Sequence, residues 1–345
     1  MTTLAVRGLR TASCLPRPHS AVLLSFKQRQ LPSSPSPSQL FLRPASTAST
    51  QSKPSSPQPQ PSSGTINGPL STLPAPLNLP VKPETTNFSY YLSLGKAYAL
   101  FYRTGAKNIF TNFRASQPIQ AIVDKKYKGS VPAAVSAGAL TRSDFQLLNR
   151  SWHDIKRLPI FGLVFIVCGE FTPLVVIALS NVVPWTCRIP KQVESDRRKL
   201  EKRRGISFRN LTAEPPKQKG VEALERMQLL HISWSVGLSS RVWDWVGGQL
   251  PGLPDFILRK RVKNWVEYLE MDDGLIGKPS RVDEMDLEEV KMALVQRGVD
   301  VLEKDESQLR VDLVSWLNSR KKAPIERLLL TRPSVWPSKP KSPSI

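Results

Sequence analysis

Glu170 is the residue whose surroundings most clearly suggest chemistry. It lies in a run of 24 residues, from Ile160 to Val183, that contains no Lys, Arg, Asp or His. A carboxylate is costly in such apolar surroundings, and inside a membrane it commonly lines an ion or proton path or pairs with a neighbouring helix. Pro173 and Asn181 fall near the same line of an ideal helix. The three residues therefore form a predicted polar seam that faces protein or water.

Two clusters of basic residues, a first at 197–204 and a second at 259–263, suggest a second activity, the binding of an anionic partner. Arg and Lys neutralise phosphate, and aromatic side chains stack on unpaired bases of RNA. Trp243, Trp245 and Trp265 lie close to the second cluster in sequence, although Trp at helical spacing is more typical of a core. The predicted ribosome or RNA contacts are Arg197, Arg198, Lys199, Lys202, Arg203, Arg204, Arg259, Lys260, Arg261 and Lys263.

Enzymatic and metal-binding motifs are missing from the chain. There is no glycine-rich phosphate loop, no nucleophile elbow and no zinc-protease helix. The three cysteines and three histidines have no ligand spacing, and His231 is interpreted as a core residue. The EMDDG stretch at 270–274 does not place oxygens where a calcium loop needs them. The sequence predicts no enzyme, no cofactor and no metal site.

The N-terminal part of the chain has the composition of a targeting segment and a linker. Fifteen of the 31 prolines lie in residues 1–83, which contain no acidic residue. Basic residues alternate with short apolar stretches in the first thirty positions, as in mitochondrial transit peptides. We predict a transit peptide at 1–45, a disordered Pro/Ser linker at 46–85 and a disordered tail at 323–345.

The apolar run predicts a single transmembrane helix at 158–186. Its 24 residues, at about 1.5 Å each, suffice to cross a hydrocarbon core of about 30 Å. A buried soluble helix is the alternative. More basic residues follow the run than precede it, which places the C-terminal side in the matrix. The net charge of +21 lies largely in the N-terminal segment and around the run.

Helical patterns fill the remaining segments, 86–157 and 187–322. Lys96, Arg103, Lys107 and Arg114 share one line of a predicted helix. Two interpretations of this line remain open, a membrane-interface or partner-binding helix and the solvated face of an ordinary packed helix. Near the C-terminus, two short apolar-striped helices are predicted to start with reciprocal caps, at Asp286 with Glu289 and at Asp305 with Gln308.

These segments resemble the leucine-zipper/EF-hand transmembrane (LETM) family. The resemblance covers about residues 88–322 and rests on LTRSDFQLLNRSWHDIKRLPIFGLVFIVCGEFTP, LRKRVKNWVEYLEMDD, QRGVDV and LRVDLVSWL. The chain departs from the family by lacking an EF-hand and a long coiled coil, so it is similar to the short branch. The family's Phe-Pro-Asn element near the end of the apolar run is only partly present here, as SNVVP, which keeps Asn181 and Pro184.

The resemblance implies an all-α protein of the mitochondrial inner membrane. The expected architecture is a single-pass helix followed by a helical ribosome-binding domain in the matrix, with disordered tails. The expected partners are the mitochondrial ribosome, inner-membrane lipid, and a second copy or partner membrane helices. The implied function is ribosome binding that supports membrane-protein insertion and ion homeostasis. The alternative is a component of a potassium/proton or other cation/proton exchanger in which Glu170 titrates.

Overall fold

The structure, a computed structural model, describes residues 66–81, 88–168, 183–211, 220–239 and 253–337, and all regular structure within them is helical. The predicted all-α class is confirmed for these residues. In chain order the helices are α1 (Phe88–Tyr127), α2 (Val131–Ser136), α3 (Arg142–Cys168), α4 (Pro190–Asn210), α5 (Arg226–Ser235), α6 (Asp255–Ile276), α7 (Leu287–Gln296), α8 (Glu306–Arg320) and α9 (Ile325–Leu329). Short 3-10 turns occupy Leu70–Thr72, Trp185–Cys187, Val221–Ala223, Pro279–Glu284 and Pro333–Val335.

Helices α1 and α3 pack against each other in antiparallel directions. Val123, near the end of α1, shares a cluster with Leu148 near the start of α3, whereas Ile109 lies in a cluster with Ile155, further along α3. The basic line predicted on α1 is exposed throughout. The buried face of α1 has the 3.6-residue period of an amphipathic helix and consists of Phe101, Gly105, Ile109, Asn112, Ser116 and Val123.

The main core is built by α5 to α9. Trp316 of α8 is fully buried, and its ring packs edge-on against Trp336 with centroids 5.1 Å apart. Trp336 follows α9 and is itself only 4% exposed. The prediction of a tail from residue 323 is therefore corrected, because packed structure continues through α9 to Trp336.

A buried network of arginines and carboxylates joins α3 to this core. Arg142 donates to Asp272 of α6 at 2.8 Å and to Glu289 of α7 at 3.3 Å. Arg150, two turns further along α3, holds Glu289 through contacts of 2.6 and 2.8 Å. Arg297 binds Asp272 at 2.7 Å from the other side. The predicted separation of 86–157 from 187–322 is thus corrected, since α3 and the C-terminal helices share one interior.

A short N-terminal segment, Ile66–Thr72, lies against the same network. Ile66 is buried in the main core, and its carbonyl accepts a hydrogen bond from Arg142 at 2.8 Å. Thr72 accepts one from Arg150 at 3.0 Å. Asn67 bonds the backbone of Glu284 and Asp286, just before α7. The predicted linker is therefore wrong for this segment, which we call the strap.

The helix starts agree only in part with the predicted caps. Asp305 accepts from the amide of Gln308 at 3.3 Å, as expected for the start of α8. At α7, Asp286 makes no side-chain cap. The reciprocal bond is also missing, since Glu289 is drawn into the buried network and the amide of Asp286 donates to Asn67 instead. An unpredicted reciprocal cap begins α3, where Thr141 and Asp144 exchange hydrogen bonds.

Contacts between the residues that flank the predicted polar seam contradict the single helix predicted at 158–186. The amide of Trp185 donates to Asp154 of α3 at 2.6 Å, and Thr186 also binds this carboxylate. In one continuous helix, residues 154 and 185 would lie about 46 Å apart. The single helix predicted at 158–186 is therefore corrected: α3 contains its first part, and Trp185 lies back beside Asp154.

Within the described helices, none combines the length and apolarity that crossing a membrane requires. Glu170, Pro173 and Asn181 fall outside the described residues, so the polar seam stays a prediction.

Candidate functional site

Helix α6 carries one predicted basic cluster and has two clearly different faces. Its inner face packs on the main core through Leu258, Val262, Val266 and Leu269, at helical spacing. Its outer face exposes Phe256, Lys260 and Lys263, at spacings of four and three. Phe256 is 74% exposed, and it gives the two lysines an apolar neighbour.

The arginines of the same cluster have structural partners. Arg259 donates to the carbonyls of Val221 and Glu222 at 2.9 and 3.0 Å and so fixes the 3-10 turn before α5. Arg261 donates to the carbonyl of Leu238 at 2.7 Å. Of the four residues predicted to contact a ribosome or RNA in this cluster, Arg259 and Arg261 bind backbone carbonyls, and Lys260 and Lys263 are exposed on the outer face of α6.

The α4 cluster divides in the same way. Arg197 pairs with Glu288 of α7 and is mostly covered. Arg203 donates to the carbonyl of Ser239 at 2.7 Å and lies over the ring of Trp234. The remaining exposed members of the cluster are Arg198, Lys199 and Lys202.

Arg204 needs the clearest correction. Its side chain is buried, with the residue 4% exposed, and it donates to the carbonyl of Ser235 at 2.9 Å while pairing with Glu201. Burial lowers the pKa of this guanidinium, and the charge of Glu201 partly offsets that effect. Arg204 therefore has no surface to offer a ribosome, contrary to the sequence prediction.

These arginines share one task at the C-terminal end of α5. The last carbonyls of a helix lack partners within the helix and carry partial negative charge, which cations stabilise. Arg204 of α4 binds the carbonyl of Ser235, the last residue of α5, whereas Arg203 of α4 and Arg261 of α6 bind the carbonyls of Ser239 and Leu238 in the segment that follows it. The two clusters that are far apart in sequence thus meet around one helix end.

We define the α6 outer face as Phe256, Lys260 and Lys263. Two exposed lysines beside an exposed aromatic ring can neutralise phosphate or a carboxylate while the ring stacks on a base or packs on an apolar side chain. Sequence reasoning missed Phe256. Its spacing of four and seven residues from the two lysines was a usable signal.

The other aromatic and titratable residues singled out by sequence belong to the interior. Trp265 donates to the carbonyl of Gln296 at 3.1 Å and stacks on Tyr268. His231 is buried between Ser207 and Ser235, at 2.8 and 3.2 Å, and burial lowers its pKa to about 4. Its interpretation as a satisfied core histidine is confirmed. Trp243 and Trp245 fall outside the described residues.

The acidic pair of EMDDG is used to hold arginines. Burial alone would raise the pKa of Asp272, but the positive charges of Arg142 and Arg297 hold it well below its usual value. Asp273 binds Arg297 at 2.6 Å and accepts from Trp316 at 3.1 Å. In the part of the chain that the structure describes, no group of side chains has the composition of a metal site.

Two family models match the chain. Residues 248–335 match the model described as LETM1-like, RBD, and residues 119–277 match the Pentamidine resistance factor domain. The matches overlap at 248–277, the stretch that contains α6. The first match confirms the resemblance drawn from the sequence. No curated protein and no solved structure matches the chain.

Proposed function

The chain is a LETM-type protein with a LETM1-like domain at residues 248–335, and from this premise we propose that it binds mitochondrial ribosomes at the inner membrane. The proposed role is binding rather than catalysis. The transit-peptide composition of residues 1–45 supports a mitochondrial location, and the resemblance supports a matrix position for the C-terminal helices.

The observation that carries this proposal is the α6 outer face. It combines two exposed cations with an exposed aromatic ring on a rigid helix within the matched region. The rear of α6 is anchored in the core, so the three side chains are presented in a fixed arrangement. Such a surface suits ribosomal RNA or an acidic ribosomal protein. The exposed Arg198, Lys199 and Lys202 of α4, which precede the matched region, add further positive charge.

Co-sedimentation of the full chain with mitochondrial ribosomes tests the proposal. The double variant Lys260→Glu with Lys263→Glu should weaken binding by about tenfold and flatten its dependence on salt, since each lysine releases about one counterion on contact with phosphate. Phe256→Ala should weaken binding with little change in the salt dependence, because it removes no charge.

The matched control is Lys321→Glu with Lys322→Glu. These lysines are also exposed and lie in the same matched region, but on the chain that follows α8. The control makes the same change in net charge and should leave binding close to that of the parent chain. Equal losses from both double variants would show a response to overall charge, and an unchanged Lys260/Lys263 variant would exclude the α6 outer face.

Support of membrane-protein insertion and ion homeostasis is the proposed consequence of holding ribosomes at the membrane. The alternative, cation/proton exchange, depends on Glu170 as the only acid in the apolar run. For this alternative, Glu170→Gln should abolish potassium-driven proton flux in liposomes that contain the purified chain. Normal flux at normal protein levels would exclude Glu170 as the exchanging group.

A further inference from the structure

The middle of helix α1 exposes a regular strip of side chains that is separate from its buried face. Ala106, Phe110, Phe113 and Gln117 are all exposed, and they follow one another at spacings of four, three and four. Phe110 is 61% exposed and Phe113 is 37% exposed. We call these four residues the α1 stripe. Alternating spacings of three and four are those by which two helices pack side by side.

Two cations border the α1 stripe on one side. Lys107 and Arg114, both from the basic line of α1, each follow a stripe residue by one position, so they are equivalent and one heptad apart. Both are exposed. In paired helices, residues at such flanking positions form ion pairs with the partner helix. No acid of this part of α1 offsets the two charges, since residues 88–123 contain neither Asp nor Glu.

The width of the α1 stripe favours a single helix as its partner. Its three apolar members, Ala106, Phe110 and Phe113, fall within about 60° of the helix circumference, at 100° per residue. A helix that packs on a broad apolar surface presents a stripe at least about 100° wide, whereas a narrow stripe is typical of a helix pair. Stacking of an RNA base is disfavoured, because the Arg114 guanidinium already lies over the ring of Phe110, 5.9 Å from its centre.

The charge of the flanking positions identifies the kind of helix that fits. Pairing of the stripes of two copies would place Lys107 and Arg114 of both chains along one interface, where no acid of residues 88–123 could balance them. Like charges side by side oppose association. A helix that carries Asp or Glu beside its apolar stripe would instead neutralise both cations, so charge complementarity favours an acidic helix from another protein.

We propose that the α1 stripe binds an acidic amphipathic helix of a partner protein, with its apolar residues on Phe110 and Phe113 and its carboxylates on Lys107 and Arg114. The buried side of α1 holds the stripe in place, because Asn112 exchanges hydrogen bonds of 2.6 and 2.9 Å with Ser71 of the strap. The inference is independent of the proposed ribosome contact, which uses α6.

Site-specific photocrosslinking of the full chain in its native cells tests the proposal. The crosslinking amino acid benzoylphenylalanine replaces Phe110 or, as the matched control, Ile122. Ile122 is another exposed apolar residue of α1, at 41%, but it lies about 120° around the helix from Phe110. We expect one main protein adduct from position 110 and none from position 122. Mass spectrometry of the joined peptides should place the crosslink on an amphipathic helix with acidic residues beside its apolar stripe.

Reversal of the flanking charges tests how the partner is held. With the crosslinker kept at position 110, Lys107→Glu with Arg114→Glu should lower the adduct yield about tenfold, because each change turns an attraction into a repulsion. Lys321→Glu with Lys322→Glu makes the same change in net charge away from α1 and should leave the yield unchanged. Equal yields from the two double variants would overturn the proposal.

The identity of the adduct decides between the possible occupants of the α1 stripe. A crosslink to RNA, to lipid, to a second copy of the chain or to a protein segment without acidic residues would overturn the proposal. So would the absence of an adduct from position 110 in a chain that resists proteolysis as well as the parent does.

Discussion

At the scale of residues, the most consequential feature is the buried cluster of arginines and carboxylates. Glu289 is 1% exposed and accepts from both Arg142 and Arg150. We expect Glu289→Gln to lower the free energy of unfolding by about 3–5 kcal/mol, because it leaves two buried guanidinium groups without their shared carboxylate. Urea unfolding followed by tryptophan fluorescence measures this loss.

The control for this experiment is Glu194→Gln. Glu194 pairs with Arg198 across one turn of α4, and both side chains are more than half exposed. Its loss should change the free energy of unfolding by no more than about 0.5 kcal/mol. Similar effects from the two substitutions would contradict a special role for burial.

Buried carboxylates and buried histidines both contribute to the pH dependence of stability. The folded-state pKa values of Asp272 and Glu289 lie below their usual values, because the arginine charges outweigh the opposing effect of burial. Their contribution to stability is therefore present above the ordinary carboxyl range and is lost as the pH falls below about 4.

His231 should act at higher pH. Its folded-state pKa of about 4 lies below the ordinary histidine value of 6.5, so the folded state resists its protonation. The stabilisation that its neutral form provides is complete above pH 6.5 and is lost as the pH falls from there towards 4.

The variant His231→Gln isolates the contribution of His231. Gln can still hydrogen-bond Ser207 and Ser235 but does not titrate. We expect the midpoint of urea unfolding to change less with pH between 4 and 6.5 in the variant than in the parent chain, the remaining change coming from His153, whose pKa burial also lowers. A variant that keeps the parent slope would show that another group titrates there.

Sequence reasoning succeeded at residues whose role depends on near neighbours. Asp305 caps α8 as its spacing to Gln308 predicts. Asp286 and Glu289 have the same spacing, yet Glu289 turns inward, because it binds Arg142 and Arg150. These two partners lie 147 and 139 residues away in the sequence. A local pattern contains no information about such partners, so the buried network could not be foreseen.

At the scale of elements, one glycine controls how closely α1 meets the 3-10 turn at Trp185–Cys187. A Cβ at Gly105 would lie 2.8 Å from the Cys187 sulfur and 3.0 Å from the Thr186 carbonyl oxygen. We expect Gly105→Ala to destabilise the chain by about 1–3 kcal/mol through overpacking. Differential scanning calorimetry of the full chain measures the effect.

Gly95 provides the matched substitution on the same helix. It has no atom within 4 Å of an added Cβ. Gly95→Ala should therefore stabilise the chain by up to about 1 kcal/mol, since Ala is the better helix former. Stabilisation by both substitutions would show that α1 does not need its close approach to the turn.

The elements also show why charge clusters mislead. Periodicity correctly indicated helices for most of the described chain, and the exposed line of α1 agrees with its spacing. The α4 and α6 clusters, however, supply the arginines that bind backbone carbonyls of the last residue of α5 and of the segment after it. A sequence shows that a residue is positively charged. It does not show whether the side chain binds backbone carbonyls of its own chain or stays available for a ribosome.

At the scale of the whole molecule, the predicted domains are less separate than their composition indicates. Apolar length alone favoured one span at 158–186, whereas the bond between Asp154 and Trp185 depends on a contact between residues 31 apart. Composition likewise assigned residues 46–85 to a linker. Prolines and serines dominate that stretch. One isolated apolar residue, Ile66, gives no periodic pattern from which its burial in the main core could be predicted.

The strap leads to a prediction about maturation. Ile66 is 3% exposed in the main core, and its carbonyl accepts from Arg142 of the buried network. Removal of the strap would take a carbonyl partner from Arg142 and a hydroxyl partner from Arg150. We therefore expect presequence cleavage to occur before Ile66, and N-terminal sequencing of the chain recovered from mitochondria should begin upstream of it.

The strap can be tested independently of processing. Ile66→Asp places an unpaired charge in the core and should lower the free energy of unfolding by about 3 kcal/mol or more. Leu70→Asp, at a position 73% exposed in the same segment, should have little effect. A mature chain that starts after Thr72 and unfolds at the parent urea concentration would mean that the strap adds nothing to stability. If the mature chain instead keeps the strap, and if Ile66→Asp lowers its free energy of unfolding whereas Leu70→Asp does not, the folded unit includes residues that composition assigns to a linker.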